Sequence, residues 1–181
     1  MLLALETVRL QLRRISLDDA AFLLDLLNQP SFLLHVGDRG VRTEDDARRY
    51  ITDGPRASYE RFGFGLLLVQ RKDSGEPIGI CGLLKREWLE DVDLGFALQP
   101  RFWGEGYAFE AASAVLADAR ERLGLRRIVA VTSLDNGPSI RLLAKLAFTF
   151  ERVARFTEEG PELRVFAYAG GPPPVTTTPA G

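Results

Sequence analysis

Ten consecutive residues, Gln99-Pro100-Arg101-Phe102-Trp103-Gly104-Glu105-Gly106-Tyr107-Ala108, hold the most chemically suggestive spacing in the chain. A strand-like run stops at a proline, two glycines one residue apart follow, and a helix-like run begins. Glycines let a backbone approach a ligand closely, and the first amides of a helix have no intrahelical acceptor. Such a junction is a cradle for an anion such as a pyrophosphate. Two nucleotide motifs fail here. Phe109 occupies the third-glycine position of the dinucleotide fingerprint, and no Gly-Lys-Ser/Thr follows as a P-loop would require.

Other reactive side chains are scarce. One cysteine (Cys81) and one histidine (His35) exclude an internal disulfide and leave too few ligands for a His/Cys zinc site, so no metal is expected. A nucleophilic triad would rest on His35 alone. Cys81 lies among Ile78, Ile80 and Leu83, the surroundings of a core thiol rather than a nucleophile. His35 follows the apolar run Phe32-Leu33-Leu34 and reads as a packed side chain.

Positioning the cradle requires a sheet and a long helix, and both are legible. Val8, Leu10 and Leu12 alternate with Arg9, Gln11 and Arg13, the period of a half-buried strand. Ser16 caps a helix running to about Leu27, which Asn28-Gln29-Pro30 ends. Thr43 and Asp46 form a capping box opening a helix toward Ile51; a break is expected at Gly54-Pro55, then a short helical piece over Ser58 to Arg61. Gly65 to Gln70 and Pro77 to Lys85 read as a hairpin, and Val92 to Leu98 as a third strand. Ala108, Ala111, Ala112, Val115, Leu116 and Ala119 mark a helix over Tyr107 to Leu123. Strand Ile128 to Thr132, helix Ser139 to Leu146, and strands Phe148 to Phe156 and Leu163 to Ala169 complete the order. It predicts an α/β (α+β) fold with a mixed sheet. One domain is expected over residues 6–169, followed by a disordered Pro/Gly/Thr tail over 170–181 with four prolines and no charge.

Composition agrees with one soluble domain: 181 residues, 46% hydrophobic and 27% charged. A formal net charge of −2 lacks the basic excess of a nucleic-acid binder. No window approaches the roughly 18 apolar residues of a membrane helix, and no targeting segment is apparent, which makes a cytoplasmic location the expectation. Monomer and homodimer are equally compatible with the sequence.

Arg101-Phe102-Trp103-Gly104-Glu105-Gly106 matches the pattern Gln/Arg-x-x-Gly-x-Gly/Ala in full. Asn136, Ser139, Leu142, Lys145 and Phe148 match a second pattern, Asn-x-x-Ser/Ala-x-x-Leu-Tyr-x-Lys-x-Gly-Phe, at the expected distance. With these motifs the chain resembles the GNAT superfamily of N-acetyltransferases. Asp93-Leu94-Gly95-Phe96 and Tyr107-Ala108-Phe109-Glu110-Ala111 are similar to the Rim-type branch, the ribosomal-protein alanine N-acetyltransferases and their relatives. Two positions depart from the patterns: Ala147 stands for the usual Gly, and Leu143 for a Tyr that protonates the departing thiolate in many members.

The resemblance implies a mostly antiparallel central sheet with a splayed pair of strands, flanked by helices. It also implies direct attack of a primary amine, a protein N-terminus or a small molecule, on acetyl-CoA. A catalytically weak acyl-CoA-binding sensor or partner module is the alternative. Pyrophosphate would lie on the segment Arg101, Phe102, Trp103, Gly104, Glu105, Gly106, Tyr107 and Ala108, with Arg101 as an added cation. The backbone of Phe96, Ala97 and Leu98 would pair with the pantetheine arm. Asn136, Ser139 and Lys145 would serve the cofactor from the second motif, with Ser139 also a candidate contact for the thiolate. Asp93 is the candidate base. Glu87, Glu90, Asp91 and Asp93, four acids with no base among residues 87–93, are expected to draw a cationic acceptor.

Overall fold

The computed structural model describes residues 4–169. Eight strands form one sheet: β1 (Ala4–Glu6), β2 (Leu10–Arg14), β3 (Leu66–Arg71), β4 (Pro77–Leu84), β5 (Asp93–Leu98), β6 (Ile128–Ser133), β7 (Thr149–Arg155) and β8 (Glu162–Tyr168). Their spatial order is β1-β2-β3-β4-β5-β6-β8-β7. Every neighbouring pair is antiparallel except β5 with β6, which is parallel and registered only at Asp93 opposite Val129. The expected mixed, mostly antiparallel sheet with one splayed pair is therefore the fold. The tail expected over 170–181 lies outside the described residues.

The helices are α1 (Ala20–Leu27), α2 (Pro30–His35), α3 (Glu44–Ile51), α4 (Ala57–Phe62), α5 (Tyr107–Glu121) and α6 (Gly137–Lys145). α5 buries Ala111, Ala112, Val115, Leu116 and Ala119 against one face of the sheet, together with Leu10, Leu12, Leu67, Leu94 and Leu98. Its small alanines allow close approach of helix to strand, and the stripe follows the 3.6-residue period. On the other face Leu23, Leu26 and Leu27 of α1 and Ala47 and Ile51 of α3 pack on Leu66, Leu68 and Ile80. The sheet therefore lies between two apolar layers.

Three local expectations change. Ala4–Glu6 adds a short edge strand before the first expected one. Pro30 does not only end a helix; it also starts α2 at a position where a missing amide costs nothing. The break expected at Gly54-Pro55 is bridged, because Thr52–Arg56 forms a π-helical turn that carries Pro55 and runs directly into α4. The wider turn accommodates the residue that cannot donate a regular helical hydrogen bond. The Thr43/Asp46 capping box forms as expected, with the Asp46 amide donating to Thr43 Oγ1 and the Thr43 amide to Asp46.

Candidate active site

β5 is bonded along its whole length to β4, from Asp93 opposite Leu84 to Leu98 opposite Gly79. On its other side the pairing ends after Asp93: β6 stays paired along its far edge to β8, from Ile128 opposite Tyr168 to Ser133 opposite Leu163, while only its Val129 registers with β5. The edge of β5 from Leu94 to Leu98 therefore faces a wedge rather than a strand. Backbone groups on such an edge must find partners elsewhere.

At the open end of the wedge, Pro100–Phe102 forms a 3-10 turn, and the Trp103 indole donates to the Leu98 carbonyl at 2.9 Å. Gly104 and Gly106 both adopt φ of +80°, a left-handed conformation that side chains disfavour. Gly106 is the N-cap of α5 and supplies no side-chain cap. The first amides of this 15-residue helix are thus left for a ligand, at the positive end of its dipole.

A cavity of about 450 Å³ fills the wedge. Phe96, Ala97 and Leu98 form its β5 wall, and Phe102, Trp103, Gly104, Gly106, Tyr107 and Ala108 its cradle. Asn136, Ser139, Leu142 and Lys145 line it from α6 and the residue before it. Because the sheet is open here, the far layer reaches in as well, through Leu26, Phe32 and His35. Asn136 caps α6 by accepting from the Ser139 amide at 3.2 Å. That leaves the Ser139 side chain on the cavity wall.

Arg101 and Glu105 are not among the lining residues. The Arg101 guanidinium turns away to Glu76 at 2.9 Å and to the side-chain Oε1 of Gln99 at 3.0 Å. Asp93 is not among them either. It is 1% exposed, and both of its carboxylate oxygens accept from Arg86 Nε, Oδ2 at 2.9 Å and Oδ1 at 3.1 Å. Burial pushes its carboxyl above the ordinary value against the opposing pull of Arg86. Of the other acids in the preceding turn, Asp91 is held by Arg127 at 2.8 Å. The acidic run is therefore partly neutralised by arginines, at Asp91 and Asp93, while Glu87 and Glu90 are exposed.

Cys81 is buried, and burial alone pushes its thiol up to about 12, so it is a core residue. Leu143, at the position of the expected tyrosine, is fully buried, while Leu142 and Ser139 provide the α6 wall. His35 is the wall residue that sequence reasoning underrated. It closes α2, and its Nδ1 lies 3.2 Å from Ser133 Oγ at the end of β6. Its only sequence signal is its position after an apolar run.

The family described as "Acetyltransferase (GNAT) domain" matches residues 9–149. YoaA, an uncharacterized N-acetyltransferase of Bacillus subtilis (strain 168), is 30% identical over 170 residues, covering 93% of this chain and 90% of its own. The crystal structure of the acetyltransferase from Agrobacterium tumefaciens str. C58 is similar with a TM-score of 0.79 at 27% identity, over 94% of this chain and 96% of that one. RimL, named a ribosomal L7/L12 alpha-N-protein acetyltransferase and solved in complex with coenzyme A, shares the fold at 18% identity. Its TM-score is 0.79, over 92% of this chain and 98% of its own.

Proposed function

The chain belongs to the GNAT acetyltransferase family, and from that membership we propose an acetyl-CoA-dependent N-acetyltransferase of the Rim-type branch, acting on a primary amine. One observation carries the cofactor: an uncapped helix N-terminus with two left-handed glycines opens onto an unpaired strand edge. These are the two backbone features that a pyrophosphate and an amide-bearing arm require. The amides from Gly104 to Ala108 would hold the phosphates, and the free edge at Phe96 to Leu98 the pantetheine. When bound, acetyl-CoA supplies a thioester carbonyl open to direct attack by the amine.

The chain's own groups have separable tasks. An amide of the Phe96–Leu98 edge would stabilise the developing oxyanion, since it is a fixed donor in an apolar cleft. Ser139 would face the sulfur, in place of a tyrosine. The amine's proton is assigned to His35, supported by its place in the cavity wall. Imidazole is the side chain that takes up protons near neutral pH, and Ser133 holds the ring by one nitrogen. Asp93, the base expected from the sequence, is held by Arg86 away from the lining, and we assign it to the closed end of the wedge.

For the acceptor we propose the α-amine of a protein N-terminus. An α-amine titrates near ~7.7–8.0 and asks little of a base, whereas a lysine near ~10.4 asks much more. The kinship in fold with RimL, named for an α-N-protein substrate, supports the same choice. Thiol release from acetyl-CoA, measured with N-terminal peptides, lysine and polyamines, tests it. Release with N-terminal peptides is expected. CoA binding without acceptor-dependent release across the panel would instead make the protein an acyl-CoA-binding module.

A further inference from the structure

The cradle is gripped from an unexpected direction. The turn between β1 and β2, at the opposite edge of the five antiparallel strands from β5, reaches the first turn of α5. Thr7 Oγ1 donates to Glu110 Oε1 at 2.6 Å, and the Arg9 amide donates to the same oxygen at 2.8 Å. Arg9 Nε donates to Glu110 Oε2 at 2.7 Å. A second guanidinium nitrogen, Nη1, donates to the Glu105 carbonyl at 2.9 Å, inside the glycine loop. The guanidinium also lies 4.4 Å from the centroid of the Tyr107 ring, and that ring meets Phe102 edge-on. One side chain thus spans the loop, the helix and the aromatic floor between them.

The geometry of the peptide bond gives this grip a direction. In a planar trans peptide the carbonyl oxygen and the next amide hydrogen point opposite ways. Fixing the Glu105 oxygen toward Arg9 aims the Gly106 N–H to the other side, and Gly106 lines the cavity. Without a partner the two-glycine loop is free to rotate that peptide, because glycine permits both hands.

We propose that Arg9 is a positioning residue for the phosphate cradle: held by Glu110, it pins the Glu105 carbonyl and thereby aims the Gly106 amide at an anionic ligand. It contributes through orientation rather than charge, since the Glu110 carboxylate neutralises it. Lysine could keep the pair with Glu110 but lacks the planar fork that reaches two acceptors in fixed directions.

The inference rests on the acetyl-CoA reading, and calorimetry on the full chain separates the two. Wild-type protein binds CoA if that reading holds; absence of binding overturns the reading and the inference with it. Arg9→Lys, checked for an unchanged melting curve, should bind CoA about tenfold more weakly, the loss of roughly one charge-assisted hydrogen bond. Its kcat/KM with S-acetylpantetheine, a donor without pyrophosphate, should equal that of wild type. Undiminished CoA affinity in Arg9→Lys, or an equal loss with both donors, overturns the inference alone. Arg9→Ala should lose at least as much affinity as Arg9→Lys.

Discussion

The two ends of β5 are built on opposite terms. At Asp93 the strand is closed: its backbone is registered with Val129, its carboxylate is consumed by Arg86, and its side chain is sealed from solvent. At Leu98, five residues on, the β6 side has no strand partner, and the following loop leads to a helix end without a side-chain cap. The closed end invests its polar groups in the fold, where losing a partner costs stability. The open end withholds them, so on the proposed reading a substitution there would cost binding while the fold persists. The contrast explains why the buried carboxylate, chemically the more conspicuous group, is the less suited to meet a substrate.

Perturbing each end in turn should break that contrast or sharpen it. Gly104→Glu or Gly106→Glu should have the largest effect. Each forces a side chain into a left-handed position and adds negative charge to the cradle, and CoA binding by calorimetry should fall by more than about 100-fold with the fold retained. Arg86→Ala, at the closed end, should cost about 3 kcal/mol in urea unfolding, because it strands a buried carboxylate. The sign with pH follows from the raised Asp93 carboxyl. The folded state holds that proton more tightly than the unfolded state, so stability falls as pH rises from the unfolded value through the raised one. The Arg86→Ala penalty should therefore shrink in acid and be full at neutral pH.

His35→Gln should lower kcat about 10²-fold with CoA affinity unchanged, as removal of a general base does. Asp93→Asn should leave kcat within a few-fold; the reverse pattern would return the base to Asp93. Arg141, Lys145 and Tyr107 are the other titratable groups lining the cavity. The smallest effect belongs to α6. Ala147 has φ of +64°, and the bonds from the Phe148 amide to the Leu143 carbonyl and from the Ala147 amide to the Ala144 carbonyl complete a Schellman turn. Glycine removes the left-handed penalty but loosens the unfolded chain, so Ala147→Gly should raise stability by about 0.5–1 kcal/mol with the urea m-value unchanged.

What the sequence disclosed was local. The glycine pair, the Thr43 box and the alanine stripe of α5 are properties of adjacent or periodic residues, and each appears where expected. Glycine's departure at Ala147 was also visible, though not its left-handed geometry. What stayed hidden depends on distance along the chain. Glu110 and Arg9 are 101 residues apart, and nothing in either neighbourhood announces the other. His35 gains meaning only from Ser133, 98 residues away, and from a sheet that opens beside it. Pro30 and Pro55 misled in a simpler way: each permits a helix start or a widened turn, and a breaker rule does not distinguish permission from prohibition.

The register between β5 and β6 has a mechanical consequence. Eight strands share one order, yet five of them and the other three are joined edge to edge at a single register pair. The sheet is bound like a book with most of its spine unstitched, and α5, between the two leaves in the chain, is the strap. Tension applied across β5 and β6 would meet one register pair of backbone bonding, so the seam is held by the α5 core rather than by strand pairing. The line with the least backbone bonding is also the line along which the proposed cofactor arm would lie.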